Sequence, residues 1–184
     1  MLRWKSIGFV TPLLVLVPLT AYPDRVETIA GAFSIAHIPV NPQEPDGFSS
    51  DPPGLLFNVT SESLDGQLVV KRNRIRFTGT AVATGCAFLE PVDGVVAQFT
   101  GSFTWQTAEG ALRGTFELLD YPTEFDGVFA AVIFITFDGG TGRFKKATGT
   151  AIAEGFDFPF GGLSGDPFAA GVAANIVEGQ LNFK

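Results

Sequence analysis

Apolar and polar residues alternate with a period of two along much of the chain. The clearest run covers residues 95–106, where every second residue is apolar or glycine: Val95, Ala97, Phe99, Gly101, Phe103 and Trp105. Successive side chains of a β-strand point to opposite faces, so this pattern predicts a strand with one apolar face. A second alternating run, residues 112–118, follows the turn residues Ala108-Glu109-Gly110 and predicts a hairpin.

Residues 128–155 predict a second hairpin, built around a glycine turn. An apolar run, residues 128–137, leads into Asp138-Gly-Gly-Thr-Gly142, and alternation resumes at Ala147. Glycine adopts positive φ without steric cost, which favours a tight turn here. A strand followed by Gly-Gly-Thr-Gly also resembles a phosphate-binding turn. However, Lys145 replaces the third glycine and the next residues alternate as in a strand, which disfavours a nucleotide site.

Further strands and loops are predicted on both sides of these hairpins. The predicted strands are residues 28–38, 55–60, 67–84, 87–89 and 171–183, and the predicted loops are residues 39–54, 121–127 and 156–168. About eight strands, mostly joined as hairpins, are typical of a closed barrel, which leaves no exposed sheet edge. We therefore expect an all-β fold, a single closed antiparallel barrel of about eight strands. Small residues in the strands would leave space opposite large Phe and Trp side chains.

The first 21 residues have the composition of an export signal. Arg3 and Lys5 precede an apolar segment, residues 7–20, that is too short to span a bilayer. We expect residues 1–21 to be a signal peptide and residues 22–184 to form one secreted or periplasmic domain, without a stable membrane span in the mature chain. A retained N-terminal anchor is the alternative, because no small residue occupies the position three residues before the expected cleavage site.

Composition and charge narrow the range of partners. The formal net charge of −7 disfavours nucleic acid and anionic membrane surfaces. The single cysteine excludes an internal disulfide, and together with the single histidine it disfavours a zinc site. The basic residues cluster at Lys71, Arg72, Arg74 and Arg76. We expect this cluster to be a solvated strand face, with a docking patch for an acidic ligand as the alternative.

Few polar side chains are candidates for catalysis. His37 is in phase with Phe33 and is either a packed or surface residue or a general base, although the sequence identifies no partner acid for it. We expect Cys86 to be a small buried apolar residue and Glu154 and Glu178 to be exposed. No catalytic residue is therefore assigned.

The glycine turn gives the chain a resemblance to a known group. Gly139-Gly-Thr-Gly-Arg-Phe144, followed by Ala147-x-Gly149-x-Ala151, resembles the signature hairpin of the allene oxide cyclase and dirigent proteins. This resemblance covers roughly residue 67 to the end, and it implies an antiparallel barrel of about eight strands, commonly a homotrimer. It also implies a pocket inside the barrel and no cofactor or metal. The plant cyclases close a ring in an unsaturated fatty-acid epoxide, and dirigent proteins hold phenoxy radicals while these couple.

These observations lead to three functional hypotheses. The first is an exported barrel that binds a small apolar or aromatic molecule inside, with Phe99, Phe103, Trp105 and Phe116 as the ligand-binding residues. The alternative is a cofactor-free cyclase, isomerase or dirigent-type enzyme that steers a reactive apolar substrate. The second alternative is a packed structural barrel without a ligand. The four aromatic side chains line a pocket only if the barrel is hollow.

Overall fold

A computed structural model describes residues 25–40, 46–158 and 171–183, and nearly all of them lie in β-strands. The strands are β1 (Arg25–Pro39), β2 (Gly47–Ser50), β3 (Pro53–Val70), β4 (Asn73–Val92), β5 (Val95–Thr107), β6 (Gly110–Pro122), β7 (Phe129–Gly140), β8 (Thr148–Phe158) and β9 (Gly171–Phe183). A 3₁₀ turn, Gly142–Phe144, joins β7 to β8. No helix in this described part of the chain is long and apolar enough to cross a membrane. The expected signal peptide, residues 1–21, lies outside the described residues.

Eight of the strands form a ring. The order of neighbours in the antiparallel sheet is β1-β9-β8-β7-β6-β5-β4-β3-β2, and β1 also pairs with β3. The β1–β3 pairing extends from Ile29↔Val70 to Pro39↔Val59, so it joins the sheet back to its first strand. The short strand β2 pairs with the first residues of β3 and lies outside the ring. The prediction of an all-β antiparallel fold with about eight mutually paired strands is confirmed to this extent.

Four aromatic rings fill the part of the interior where β5 ends and β6 begins. Trp105 stacks on Phe77 at a centroid distance of 4.4 Å, and the Phe103 ring lies 4.7 Å from it. Phe137 meets Trp105 edge-on at 5.6 Å. Large rings in such offset and edge-on contacts bury much apolar surface. We call Phe77, Phe103, Trp105 and Phe137 the aromatic plug.

Large rings on the inner face lie opposite glycines on neighbouring strands. The cross-strand pairs are Trp105–Gly79, Phe99–Gly85, Phe116–Gly101 and Phe103–Gly114. A Cβ atom built at Gly85 would lie 2.1 Å from the backbone oxygen of Gln98 and 2.5 Å from Phe99 Cδ1, so even alanine is too large there. The prediction that small residues leave space opposite Phe and Trp is confirmed at these positions, where the absent side chain lets the ring lie against the strand.

Residues 67–84, predicted to hold one long strand, contain the start of β4 and also the end of β3, with a turn between them. β3 ends at Val70 and β4 begins at Asn73. Lys71 takes the left-handed conformation between them, with φ of 63°. The sequence does not predict this turn, because lysine rather than glycine occupies the left-handed position. The basic cluster is exposed at this turn and along the start of β4, as expected of a solvated face: Lys71, Arg72, Arg74 and Arg76.

Several strands continue into predicted loops. β2 and the start of β3 lie within the predicted loop 39–54, while β6 and β8 extend to Pro122 and Phe158. The predicted short strands 55–60 and 87–89 are parts of the long strands β3 and β4. These extensions matter for function because they place Asp120 and Asp157 on strands, where alternation decides which way their side chains face. Residues 159–168 of the last predicted loop lie outside the described residues.

Candidate functional site

The interior of the ring holds an apolar cavity of about 580 Å³. Its largest wall residues are aromatic: Phe33, Phe88, Phe99, Phe103, Trp105, Phe116 and Phe129. Alanines on β4, β5 and β9 also line it, and these short side chains leave the interior open where the aromatic plug ends. A volume of several hundred Å³ with a mostly apolar wall is typical of a site for one small organic molecule.

All four predicted ligand-binding residues lie in the wall of this cavity. Phe103 and Trp105 are buried and belong to the aromatic plug, so the plug forms one boundary of the cavity. Phe99 and Phe116 are half-buried and form part of the side wall. The structure therefore brings the four side chains together around one space. Ligand binding by them stays a prediction.

A histidine and a carboxylate form a hydrogen bond within the wall. His37 Nε2 lies 3.1 Å from Asp157 Oδ1, and the two side chains are 13% and 6% exposed. His37 lies on β1 and Asp157 on β8, with β9 between them; their partners on β9 are Gly171 and Ala173. A Cβ atom built at Gly171 would lie 2.3 Å from His37 Cε1. The imidazole therefore lies over this glycine and reaches across β9 to the carboxylate.

This pair has the chemistry of an oriented base. When Nε2–H donates to Asp157, the other ring nitrogen, Nδ1, carries the lone pair of the neutral imidazole. A buried carboxylate that fixes the tautomer and orientation of an imidazole is a recurring arrangement in general acid–base catalysis. The structure thus supplies the partner acid for His37 that the sequence did not identify.

Asp120 is a second carboxyl group in the wall. It lies on β6 in phase with Phe116, pairs with Ala97 and Ala131 on the adjacent strands, and is only 2% exposed. Its Oδ1 has no hydrogen-bond partner among the described residues. Burial away from water raises the pKa of Asp120, the negative charge of Asp157 raises it further, and the pKa reaches about 8. Asp120 is therefore mostly protonated at neutral pH.

Neither acid was singled out from the sequence, although a signal was present. Asp120 continues the inward series that includes Phe116, and Asp157 continues the series that includes Ala151 and Ala153. Extending the alternation by one or two more steps beyond each predicted strand end would have placed both carboxyl groups inside the ring.

The other candidate side chains lie away from the cavity. Cys86 is half-buried, not buried as predicted, and it lines a second, separate pocket beside Leu56 and Gln98. Burial raises the pKa of its thiol, which disfavours a reactive thiolate. Glu154 and Glu178 are exposed, as predicted. Within the described ranges, no three His, Cys, Asp or Glu side chains come together as they would to hold a metal ion.

Arg143 links three chain segments near the aromatic plug. Its Nη1 lies 2.6 Å from Glu109 Oε2 in the β5–β6 turn, and its Nη2 lies 3.5 Å from Glu27 Oε2 on β1. The Glu27 side chain is nearly buried and also contacts Arg25. The guanidinium carbon lies 5.5 Å from the ring centre of Phe183 on β9. These contacts hold the end of the ring together and do not touch the cavity.

Comparison of the chain with protein-family models, with curated proteins and with solved structures found no match. The turn motif of residues 139–144 spans the end of β7 and the 3₁₀ turn. The cavity and this motif are the features of the chain that bear on its function.

Proposed function

We propose that the ring is a closed barrel and that it binds a small apolar or aromatic molecule in its interior. The observation that carries the proposal is the cavity of about 580 Å³ beside the aromatic plug. An apolar ligand would gain roughly 25 cal/mol for each Å² of apolar surface removed from water there. In this proposal Phe99 and Phe116 contact the sides of the ligand, while Phe103 and Trp105 form the surface on which it rests.

A cavity-filling substitution tests this proposal. Ala83 lines the cavity from β4, so Ala83→Phe places a ring where the ligand would lie. Thr80→Phe adds the same ring at an exposed position of the same strand and is the matched control. The probe is N-phenyl-1-naphthylamine, a neutral dye that fluoresces in apolar surroundings. We expect the wild type and Thr80→Phe to bind it equally, and Ala83→Phe to bind about tenfold more weakly or not at all.

Two results would count against interior binding. Equal dye affinity in Ala83→Phe and the wild type would place the binding site elsewhere on the protein. No dye binding by a folded wild type would favour the structural barrel without a ligand. Thermal melting of each variant shows whether a loss of binding reflects unfolding.

A cofactor-free isomerase or cyclase is the second candidate, and the His37–Asp157 hydrogen bond is the observation that favours it. An oriented imidazole and a protonated Asp120 in one cavity provide a base and an acid for moving a proton within a bound substrate. The test is hydrogen exchange at the carbon beside the carbonyl of 2-tetralone in D₂O, followed by NMR. We expect the protein to accelerate it, and we expect His37→Gln to lose the acceleration while it keeps dye binding.

We also propose that the chain is a distant exported relative of the allene oxide cyclase and dirigent proteins and forms a homotrimer. The outer face of β7, β8 and β9 supports a subunit contact, because Phe134, Ile152 and Ile176 are 44%, 46% and 66% exposed. Phe134 and Ile152 are cross-strand partners, so their side chains form one patch. Native mass spectrometry of the mature protein should show a trimer, and Ile176→Glu should shift it towards monomer. A wild-type monomer would contradict this proposal.

A further inference from the structure

Asp120 has an unmet hydrogen-bonding capacity inside the cavity wall. Its side chain is almost completely buried, and its Oδ1 has no partner among the described residues. The other carboxyl group of the wall, Asp157, already has a partner in His37 at 3.1 Å. Buried polar atoms are nearly always paired in folded proteins, so an unpaired one in a cavity wall is a position where a bound molecule can supply the partner.

The surroundings of Asp120 decide which kind of partner fits. Its neighbours on β5 and β7, Ala97 and Ala131, are not titratable. The titratable side chains that line the cavity with it are Asp157 on β8 and His37 on β1, and no lysine or arginine of the described chain lines it. Without a nearby cation, burial and the Asp157 charge raise the pKa of Asp120 to about 8. A protonated carboxyl group has an O–H to donate, so it needs an acceptor.

We infer that the Asp120 carboxylic acid donates a hydrogen bond to a neutral oxygen atom, such as a ketone carbonyl, of an otherwise apolar ligand. This inference rests on the proposed function, since it specifies what the cavity binds. A carboxylate ligand would lie near the charge of Asp157 without a cation to compensate it. A pure hydrocarbon would leave the acid unpaired and would lose that hydrogen bond.

A pair of ligands with the same shape isolates this hydrogen bond. The probes are 2-acetylnaphthalene and 2-isopropenylnaphthalene, which differ in a C=O group against a C=CH₂ group. Equilibrium dialysis at pH 6.5 gives the ratio of their dissociation constants. We expect the wild type to prefer the ketone by about tenfold. At pH 9.5 the preference should disappear, because Asp120 then faces the carbonyl as a carboxylate.

Two variants of Asp120 distinguish hydrogen-bond donation by this side chain from an effect of its charge. Asp120→Asn keeps a donor of nearly the same size that does not titrate, so its ketone preference should persist at pH 9.5. Asp120→Leu removes the donor, so its ratio should be close to one at both pH values. If Asp120→Leu does not fold, Asp120→Asn alone still tests the inference. A ketone preference that persists in this variant at pH 9.5 supports hydrogen-bond donation from this position.

The results that contradict the inference about Asp120 differ from those that contradict the proposed binding function. Equal binding of both probes by the wild type at pH 6.5 would overturn the inference and leave the binding function in place. If neither probe binds, the proposed binding function is wrong, and the inference, which rests on it, is wrong as well. A further probe, 2-(1-aminoethyl)naphthalene, tests the opposite polarity. If the wild type prefers this amine to the ketone, and increasingly so at higher pH, Asp120 serves as a carboxylate counter-ion and the inference is wrong.

Discussion

Replacing Asp120 with Asn should stabilise the protein at alkaline pH relative to the wild type. In the folded chain Asp120 keeps its proton until about pH 8, whereas the ordinary pKa of an aspartate is 3.8. Between these values the folded state binds more protons than the unfolded state, so the free energy of unfolding falls as pH rises. The contribution of Asp120 to stability is complete below about pH 3.8 and is lost as pH rises through about 8.

The difference between the folded and ordinary pKa values of Asp120 sets the size of this change in the free energy of unfolding. The interval from 3.8 to about 8 covers roughly four pH units, and each is worth at most about 1.4 kcal/mol, so the upper bound is roughly 6 kcal/mol. The carboxyl group is buried, which argues for a large fraction of this bound. Water that enters the adjacent cavity would solvate the ionised form, so we expect about half of it, roughly 3 kcal/mol. This is a substantial part of the stability of a typical domain, which is about 5–15 kcal/mol.

Urea unfolding followed by tryptophan fluorescence measures this difference, with the buried Trp105 as the reporter. The wild type and Asp120→Asn are unfolded at intervals between pH 5 and pH 9.5. The free energy of unfolding of the variant minus that of the wild type should rise with pH up to about 8 and then level off. Asp65→Asn, at an exposed position on β3, should show no comparable rise. A difference for Asp120→Asn that does not change with pH would refute the neutral-acid argument.

Two other contacts give predictions for single substitutions. Gly171→Ala should displace the imidazole of His37, the single histidine of the chain, and shift its ring ¹⁵N signals in NMR spectra. Gly47→Ala is the control: a Cβ atom built there meets its nearest atom at 3.6 Å, so the His37 signals should stay unchanged. If Gly171→Ala also leaves the His37 signals unchanged, the described position of the ring is wrong. Arg143→Met should lower the free energy of unfolding by about 1–3 kcal/mol, because Glu27 keeps a buried charge with one partner fewer. Adding Glu27→Gln should recover part of this loss in urea unfolding, and no recovery would mean that the Glu27 charge is not the cause.

The fold was accessible from the sequence because burial on these strands alternates. In the ring, a strand has one face towards the interior and one towards the outside, so the pattern of residues 95–106 fixed which rings point inwards. The same pattern says nothing about a turn that lacks glycine, as at Lys71. It also does not say how rings pack against one another. The stacking of Trp105 on Phe77, which separates a filled region from an open one, emerges only in three dimensions.

The polar side chains of the cavity wall come together through strand pairing between residues far apart in the sequence. His37 and Asp157 are 120 residues apart in the chain and meet because β9 lies between β1 and β8. No local sequence motif predicts such a contact. Gly171 makes room for it because it has no side chain, and a glycine alone does not indicate a polar site. The alternation of β6 could have placed Asp120 inside the ring, but not its raised pKa, which comes from burial and from the charge of Asp157, 37 residues further along the chain.

The division between the aromatic plug and the open cavity has an evolutionary consequence. Substitutions in the plug carry the full cost of losing large buried rings, so selection for stability restrains them. Half-buried wall residues such as Phe88 and Phe129 pack less completely, and changing them costs less. A lineage of such chains is therefore free to change the shape of the cavity by substitutions in its wall while the aromatic plug preserves foldability. The same partition makes the chain a suitable scaffold for the directed evolution of differently shaped cavities.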